Sequence, residues 1–573
     1  MMSTSVMTTL ICKALALKGK KALKRIDANC MNAQKTNTDL LLRLMRDNKD
    51  TEYGKLHRFG EIGSVEDFRK NVPFSDYDTY APYIERMVRK GEKNLITAYD
   101  VIQYAETSGT VGVQKKIPVT KESMACYSDN TITRVCALAQ EYYEKKTGKG
   151  VPVGMGLNTL ETESTLMDDG TPRGSISGSA ARTYKKLFPF YLTSPLPVLF
   201  PNGGMNMQYM KARFALEDKG MIFMFSTFMT TLVDVMNYMK NNWEMIVEDI
   251  ENGTVNEKVC ETAEAREALK PYLKKMPERA KELRKIFEEG FDTPIIPKLW
   301  PKMSWVCAIG TGGFASYTEK MRQYLGEEIP IDYSIYGASE GMFAAARHIN
   351  DPQFVLLTDS CFYEFIPADE PWDGESTLTL DQLKPGREYE IVITNQCGFY
   401  RYRIQDVIRV LGYYHSCPLI TFAYRKSQVV NLAAEKTTEE HLNESVKRLG
   451  KAFGCTFPDF SIFVDTKAEP SRYVMLVEPD RPLPVEKGKE YSEKFEEILC
   501  DVNPEYAVCR YDRSIGDPLV LLQQQQTHAF WRELKMHKGT SSNQVKPVRV
   551  LDVLPKQKFF FGLLEEGQEK VEY

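Results

Sequence analysis

Strand-like runs alternate with helical ones through the second half of the chain, and this alternation restricts the fold more than any other feature. Runs rich in β-branched and aromatic residues occur at 304–313 (SWVCAIGTGG), 329–341 (IPIDYSIYGASEG), 362–368 (FYEFIPA) and 387–414. Strands interleaved with helices in this way imply a mixed α/β core. Ahead of them, residues 1 to about 95 read as a helical preface, with Leu40, Leu41, Leu42, Leu44 and Met45 clustered and Phe59, Ile62, Val65 and Phe68 at three- and four-residue spacings. VIQYAETSGTVGVQKKIPVT, from Val101 to Thr120, reads as strand, loop, strand. The Met-rich stretch within 205–250 reads as buried helix and strand. The charged segment from Asn256 to Gly290 reads as a solvated helical face stopped by Gly253 and Gly290.

A chain of 573 residues is too long for one core. The helix, strand, strand order over 438–478 suggests a second, smaller unit. The expected organisation is a large mixed α/β domain over 1–426 and a small mobile α+β carboxy-terminal domain over 427–573, hinged near Arg425 to Leu432.

Composition removes several functions. With 74 Lys+Arg against 78 Asp+Glu the formal charge is -4, which argues against a dedicated nucleic-acid binder or an acidic disordered chain. The twelve cysteines are scattered without C-x-x-C, and the six histidines form no H-x-x-x-H pair; reduced thiols in a cytoplasmic setting are expected, not a zinc site or disulfide framework. Lys13 and Lys18 interrupt the first apolar run, which reads as a helix and not a signal peptide. No stretch reaches the roughly 18 apolar residues of a membrane span, so no membrane partner is expected.

Four segments carry chemistry. Thr107-Ser108-Gly109-Thr110-Val111-Gly112-Val113-Gln114-Lys115-Lys116 places hydroxyls, glycines and lysines in one loop, a composition that suits polyphosphate. It is not a Walker A loop, since Gln114 stands where the second glycine belongs; the plain alternative is a turn. Tyr336-Gly337-Ala338-Ser339-Glu340-Gly341 ends a strand, where α/β sheets present ligand-binding residues. Glu340 there suits Mg²⁺ on a triphosphate and Tyr336 suits a base; otherwise the segment starts a helix whose N-terminus favours Glu340. Asp406 suits a ribose diol, unless it is a structural ion pair with Arg403 or Arg409. Lys546 sits in a polar loop, where a lone lysine usually serves only solubility.

Taken together and in this order, these segments resemble the adenylate-forming enzymes, and more closely the Gretchen Hagen 3 family of acyl acid-amido synthetases. The likeness runs from about Phe68 to the carboxy terminus through TSGT (107–110), IGTGG (309–313), YGASEG (336–341), EYEIVITNQCGFYRYRIQDVIRVLGY (388–413) and NQVKP (543–547). It implies a firefly-luciferase-like adenylate-forming fold and an enzyme that uses ATP and Mg²⁺ to join a carboxylic acid to an amino acid. By the same resemblance Ser108, Gly109 and Thr110 cradle phosphates; Tyr336, Ala338 and Ser339 line the adenine side; Glu340 serves Mg²⁺; Asp406 holds the ribose. Lys546 matches the lysine that reaches the α-phosphate, and Arg425 the hinge arginine. Val111 and Val113 replace smaller residues, so Lys115 and Lys116 both remain candidates for the loop lysine. Val545 stands in place of the family's tyrosine, and Gln405 in place of its glycine. The acyl cavity is expected within about 120–230, with Met124, Tyr127, Thr131, Met155 and Phe228 as candidates. An acyl-CoA ligase and a non-catalytic nucleotide-binding relic are the alternatives.

Overall fold

The computed structural model describes residues 6–106, 115–159, 164–167, 170–176, 178, 182, 184–368, 372–426, 432, 435, 437–511, 513–537 and 545–573. The helical preface is present as Val6–Met31, Ala33–Asn48, Glu52–Leu56, Val65–Asn71 and Tyr77–Lys90. Local chemistry sets its boundaries. Ser64 accepts from the Asp67 amide to start one helix, Asp76 and Thr79 form a capping box that starts another, and Gly91, at φ 64°, ends it.

Three sheets build the larger part. Gly156–Asn158, Phe223–Phe228, Trp305–Ile309 and Ile331–Asp332 run parallel. Their residues are buried almost throughout, and Trp305–Ile309 reads in sequence as a continuous apolar run. The Met-rich stretch supplies one of these strands and the following helix Met229–Asn252, with Met224, Met229, Met236 and Met239 in a common core. A second sheet of four strands includes Val101–Glu106 paired antiparallel with Lys116–Thr120. The third has seven strands, in the order Cys361–Pro367, Glu388–Asn395, Tyr402–Tyr414, Cys417–Arg425, Phe354–Leu356, Gly341–Ala346 and Ile335–Ala338. A further sheet of three strands, Asp459–Asp465, Arg472–Glu478 and Leu519–Leu522, packs against helices Glu439–Ala452 and Gly488–Val502 around its own apolar core. Among the described residues no helix is long and apolar enough to cross a membrane.

Two sequence expectations need correction. The segment 256–290 is not simply solvated: in Pro277–Glu288, Ala280, Leu283 and Phe287 are buried, and buried Arg279 donates to the carbonyls of Leu216 and Leu299. Ser339 and Glu340 do not start a helix; they turn the chain between the paired strands Ile335–Ala338 and Gly341–Ala346. A hairpin turn offers Glu340 no helix dipole, so its place at this edge follows from strand pairing alone.

One irregularity shapes the seven-stranded sheet. Glu390 pairs with Val407 but Val392 pairs with Arg403, so the strand Tyr402–Tyr414 carries a bulge at Ile404, Gln405 and Asp406. Gln405 takes φ 65°, a left-handed conformation that favours glycine. Gln405→Gly is therefore expected to stabilise the protein by about 0.5–1 kcal/mol, seen as a rise in apparent Tm; an unchanged or lower midpoint would show that the bulge is not strained.

Candidate active site

The bulge decides where Asp406 points. Asp406 faces Arg425 across the strand pair and is 2% exposed. Its Oδ1 accepts from Arg425 Nε at 2.6 Å and its Oδ2 from the Tyr336 hydroxyl at 3.0 Å. The ion-pair alternative named Arg403 or Arg409 as its partner, but these bind Glu390 and Glu388; register, not nearness in sequence, chose Arg425. Burial opposes the charge of Arg425, yet Asp406 and Glu340 hold its pKa above the usual arginine value. Tyr336 is buried, its ring centred 5.4 Å from that of Phe343 and 5.8 Å from that of Phe422. Burial, reinforced by Asp406, pushes its phenol pKa well up, so it stays a neutral donor.

Glu340 sits beside this pair. Its Oε1 accepts from the Tyr402 hydroxyl at 3.2 Å, and its backbone carbonyl accepts from Asn395 Nδ2 at 2.7 Å. Burial and then Glu340 raise the Tyr402 pKa. Ala338 and Ser339, both half-buried, complete the hairpin end.

The other wall comes from the strand pair that brackets the hydroxyl-rich loop. Ser108, Gly109 and Thr110 lie outside the described residues; the described flank begins at Lys115. Tyr77 ties that flank to the site: its hydroxyl accepts from the Lys116 amide at 2.9 Å, and the Lys115 ammonium stands 5.0 Å from its ring centre. Burial raises the Tyr77 pKa, and Glu340 adds to the rise, which places the loop's end and the carboxylate in one electrostatic environment.

Lys546 arrives from the carboxy-terminal part. The residue keeps solvent access, but atoms crowd its ammonium. This desolvation, with Arg425, lowers its pKa below the usual lysine value, while Asp406, Glu340 and Glu439 work against the shift. Thus Lys546, Arg425, Asp406 and Glu340, far apart in sequence, share one field.

A small cleft at Glu340 is lined by Val119, Ser123, Tyr127, Ile176, Met342 and Cys397 among others. Of the acyl-cavity candidates, Tyr127 lines it and Met124 packs against the same large core. Thr131 instead bonds the Tyr127 carbonyl and Phe228 stacks on Phe314. Sequence reasoning missed Tyr77, Tyr402 and Asn395. Tyr402 and Asn395 both lay within the quoted stretch 388–413, where nothing marked either as part of the site, and Tyr77 lay in no motif.

Among the described residues no cluster of three or more His, Cys, Asp or Glu side chains is placed to hold a metal. A lone carboxylate such as Glu340 fits the habit of Mg²⁺, which takes one or two protein carboxylates and draws its remaining ligands from phosphates and water.

Residues 22–331 match the GH3 family N-terminal domain, 354–425 its central domain and 440–553 its C-terminal domain. The chain belongs to the GH3 family. GH3 relatives align along nearly its whole length. A 4-substituted benzoates-glutamate ligase of Arabidopsis thaliana, GH3.12, is 28% identical over 560 residues, covering 93% of this chain and 95% of that protein. Indole-3-acetic acid-amido synthetase GH3.3 of the same plant is 25% identical over 566 residues, covering 94% and 93%. The structure of GH3.15 acyl acid amido synthetase shares the fold, with a TM-score of 0.81 at 21% identity over 96% of this chain and 98% of that one. It has also been solved in complex with 2,4-DB.

Proposed function

We propose that this GH3 protein is an ATP-dependent acyl acid-amido synthetase that adenylates a carboxylic acid and passes the acyl group to the amine of an amino acid. What supports the reading is the pairing of Asp406 with Arg425 beside Glu340, near enough to Lys546 for all three charges to act on its pKa, next to a cleft lined by Glu340 and Tyr127. Membership of a family whose named members are amido synthetases and ligases supports it.

In the first step a carboxylate oxygen attacks the α-phosphorus of ATP, the bond to the bridging oxygen breaks, and pyrophosphate leaves with the electron pair. Charge builds on the non-bridging oxygens, and the ammonium of Lys546 offsets it. Ser108, Gly109 and Thr110 cradle the phosphates. Asp406, oriented by Arg425 and Tyr336, accepts from the ribose hydroxyls, and Tyr336, Ala338 and Ser339 form the adenine side. Glu340 would hold Mg²⁺, which when bound would offset charge on the phosphates. In the second step the amine nitrogen attacks the acyl carbonyl, the carbon–oxygen bond to AMP breaks, and the nitrogen loses its proton to solvent. For this Lys546 withdraws as residues 427–573 turn on residues 1–426 near Arg425.

The test is acid-dependent pyrophosphate release from ATP and Mg²⁺ over a panel of carboxylic acids, with and without each amino acid, products read by mass spectrometry. An amide with AMP is expected. A thioester formed only when CoA is added makes the protein an acyl-CoA ligase, and silence toward every acid sinks the catalytic reading.

A further inference from the structure

Away from the reacting groups, a buried ionic cluster joins the carboxy-terminal part to the rest. Asp459, at the start of its strand and 4% exposed, accepts from Arg549 Nη1 at 2.8 Å and from the Tyr317 hydroxyl. Arg532 approaches Asp459 at 3.6 Å with one amino group and Asp234 at 3.0 Å with the other. Tyr317 and Asp234 lie on helices Ala315–Leu325 and Met229–Asn252, whereas Asp459, Arg532 and Arg549 belong to the part beyond residue 426. Burial alone would raise the Asp459 carboxyl, but His528, Arg549, Arg532 and Lys320 hold it below the usual carboxylate range.

This cluster has a direct line to the candidate lysine. Arg549 follows Lys546 on a segment laid along Asp459–Asp465: the Ile462 amide donates to the Arg549 carbonyl at 2.6 Å and the Leu551 amide to the Ile462 carbonyl at 2.9 Å. Arg549 also grips Glu439 at 3.0 Å. Moving Asp459 off Tyr317 therefore moves the segment that carries Lys546. The contact is charged where an apolar one would serve for permanent packing. Separating an ion pair into water returns both partners' hydration, so such a contact is firm when closed and costs little to open.

We propose that Asp234, Tyr317, Asp459, Arg532 and Arg549 are positioning residues: their cluster holds the carboxy-terminal part in the orientation that brings Lys546 to Glu340 and Asp406, and it parts before amide formation. The inference rests on the amido-synthetase reading. Tyr317→Phe, which deletes one hydroxyl, and Asp234→Asn test it in the full-length protein. The acid used is whichever of indole-3-acetic acid, 4-hydroxybenzoic acid and 2,4-DB the wild type activates. Each variant is expected to release pyrophosphate about 10-fold more slowly, with KM for ATP nearly unchanged. Amide formation from a supplied acyl adenylate should be as fast or faster. Combined with Lys546→Ala, neither variant should slow adenylation further, because the cluster acts only through the lysine. Equal slowing of both half-reactions, or effects that multiply in the double variant, would overturn the proposal. Small-angle X-ray scattering gives a readout free of activity: Asp234→Asn should raise the radius of gyration of the free protein, and an unchanged curve counts against the contact. If the wild type activates no acid, the functional reading fails while the scattering still judges the cluster.

Discussion

Lys546→Ala is expected to slow acyl-adenylate formation by about 10²- to 10³-fold while leaving ATP affinity within about two-fold. The lysine acts on the charge that develops on the phosphorus oxygens in the transition state, beyond the charge they already carry in bound ATP. The structure adds a pH signature. Desolvation and Arg425 depress the Lys546 pKa below its ordinary value in the nucleotide-free protein, so kcat/KM for ATP, which follows free-enzyme groups, should decline on the alkaline side sooner than a solvated lysine, near pH 10.4, allows. The sign for stability is the opposite of that for rate. The folded protein holds this proton less tightly than the unfolded chain, so the charged lysine opposes folding at low pH, and that opposition fades as pH rises through the folded pKa. Lys546→Met should consequently fold at least as well as the wild type at neutral pH. Pyrophosphate release against pH, with thermal melts of the same variants, checks both; a rate unaltered by alanine removes Lys546 from the chemistry.

The groups around this lysine were unevenly legible in the sequence. Glu340, Asp406 and Lys546 sit in segments that pointed to nucleotide chemistry only when taken together, Arg425 was reached through the family resemblance alone, and the alternation of strands and helices implied the mixed α/β core. What sequence could not supply was register. The bulge that sends Asp406 inward depends on how Glu388–Asn395 and Tyr402–Tyr414 align, and its only trace was Gln405 standing where the family has glycine. The same slip in pairing made Arg425, and not Arg403 or Arg409, the partner of Asp406. The buried cluster at Asp459 was wholly invisible: Tyr317 and Asp459 are separated by 142 residues, and neither lies in a motif. Alternating hydrophobicity reports which face of a strand is buried, but not which distant charge awaits it.

Asp406→Ala should have its largest effect on binding, not on the rate at saturating ATP. A carboxylate that accepts from both ribose hydroxyls contributes roughly 1.5–3 kcal/mol for each charge-assisted bond, so losing both should lower ATP affinity by about 10²- to 10⁴-fold. The change also orphans two groups that Asp406 now satisfies. Tyr336 loses the acceptor for a buried hydroxyl, and Arg425 loses its counter-charge near Lys546. Because the Arg425 side chain is 31% exposed, water can replace part of what the carboxylate supplied, which keeps the loss of stability to about 1–3 kcal/mol. Binding and folding effects separate by choice of nucleotide. If Asp406 reads the ribose, the wild type discriminates against 2′-deoxy-ATP and 3′-deoxy-ATP, and the alanine variant binds all three alike. Calorimetric titration of ATP and both deoxy analogues into each protein measures this ratio directly, and a structural defect that weakens all three equally cannot mimic it. Discrimination retained by Asp406→Ala would assign the ribose to another acceptor and leave Asp406 as the anchor of Arg425 and Tyr336 alone.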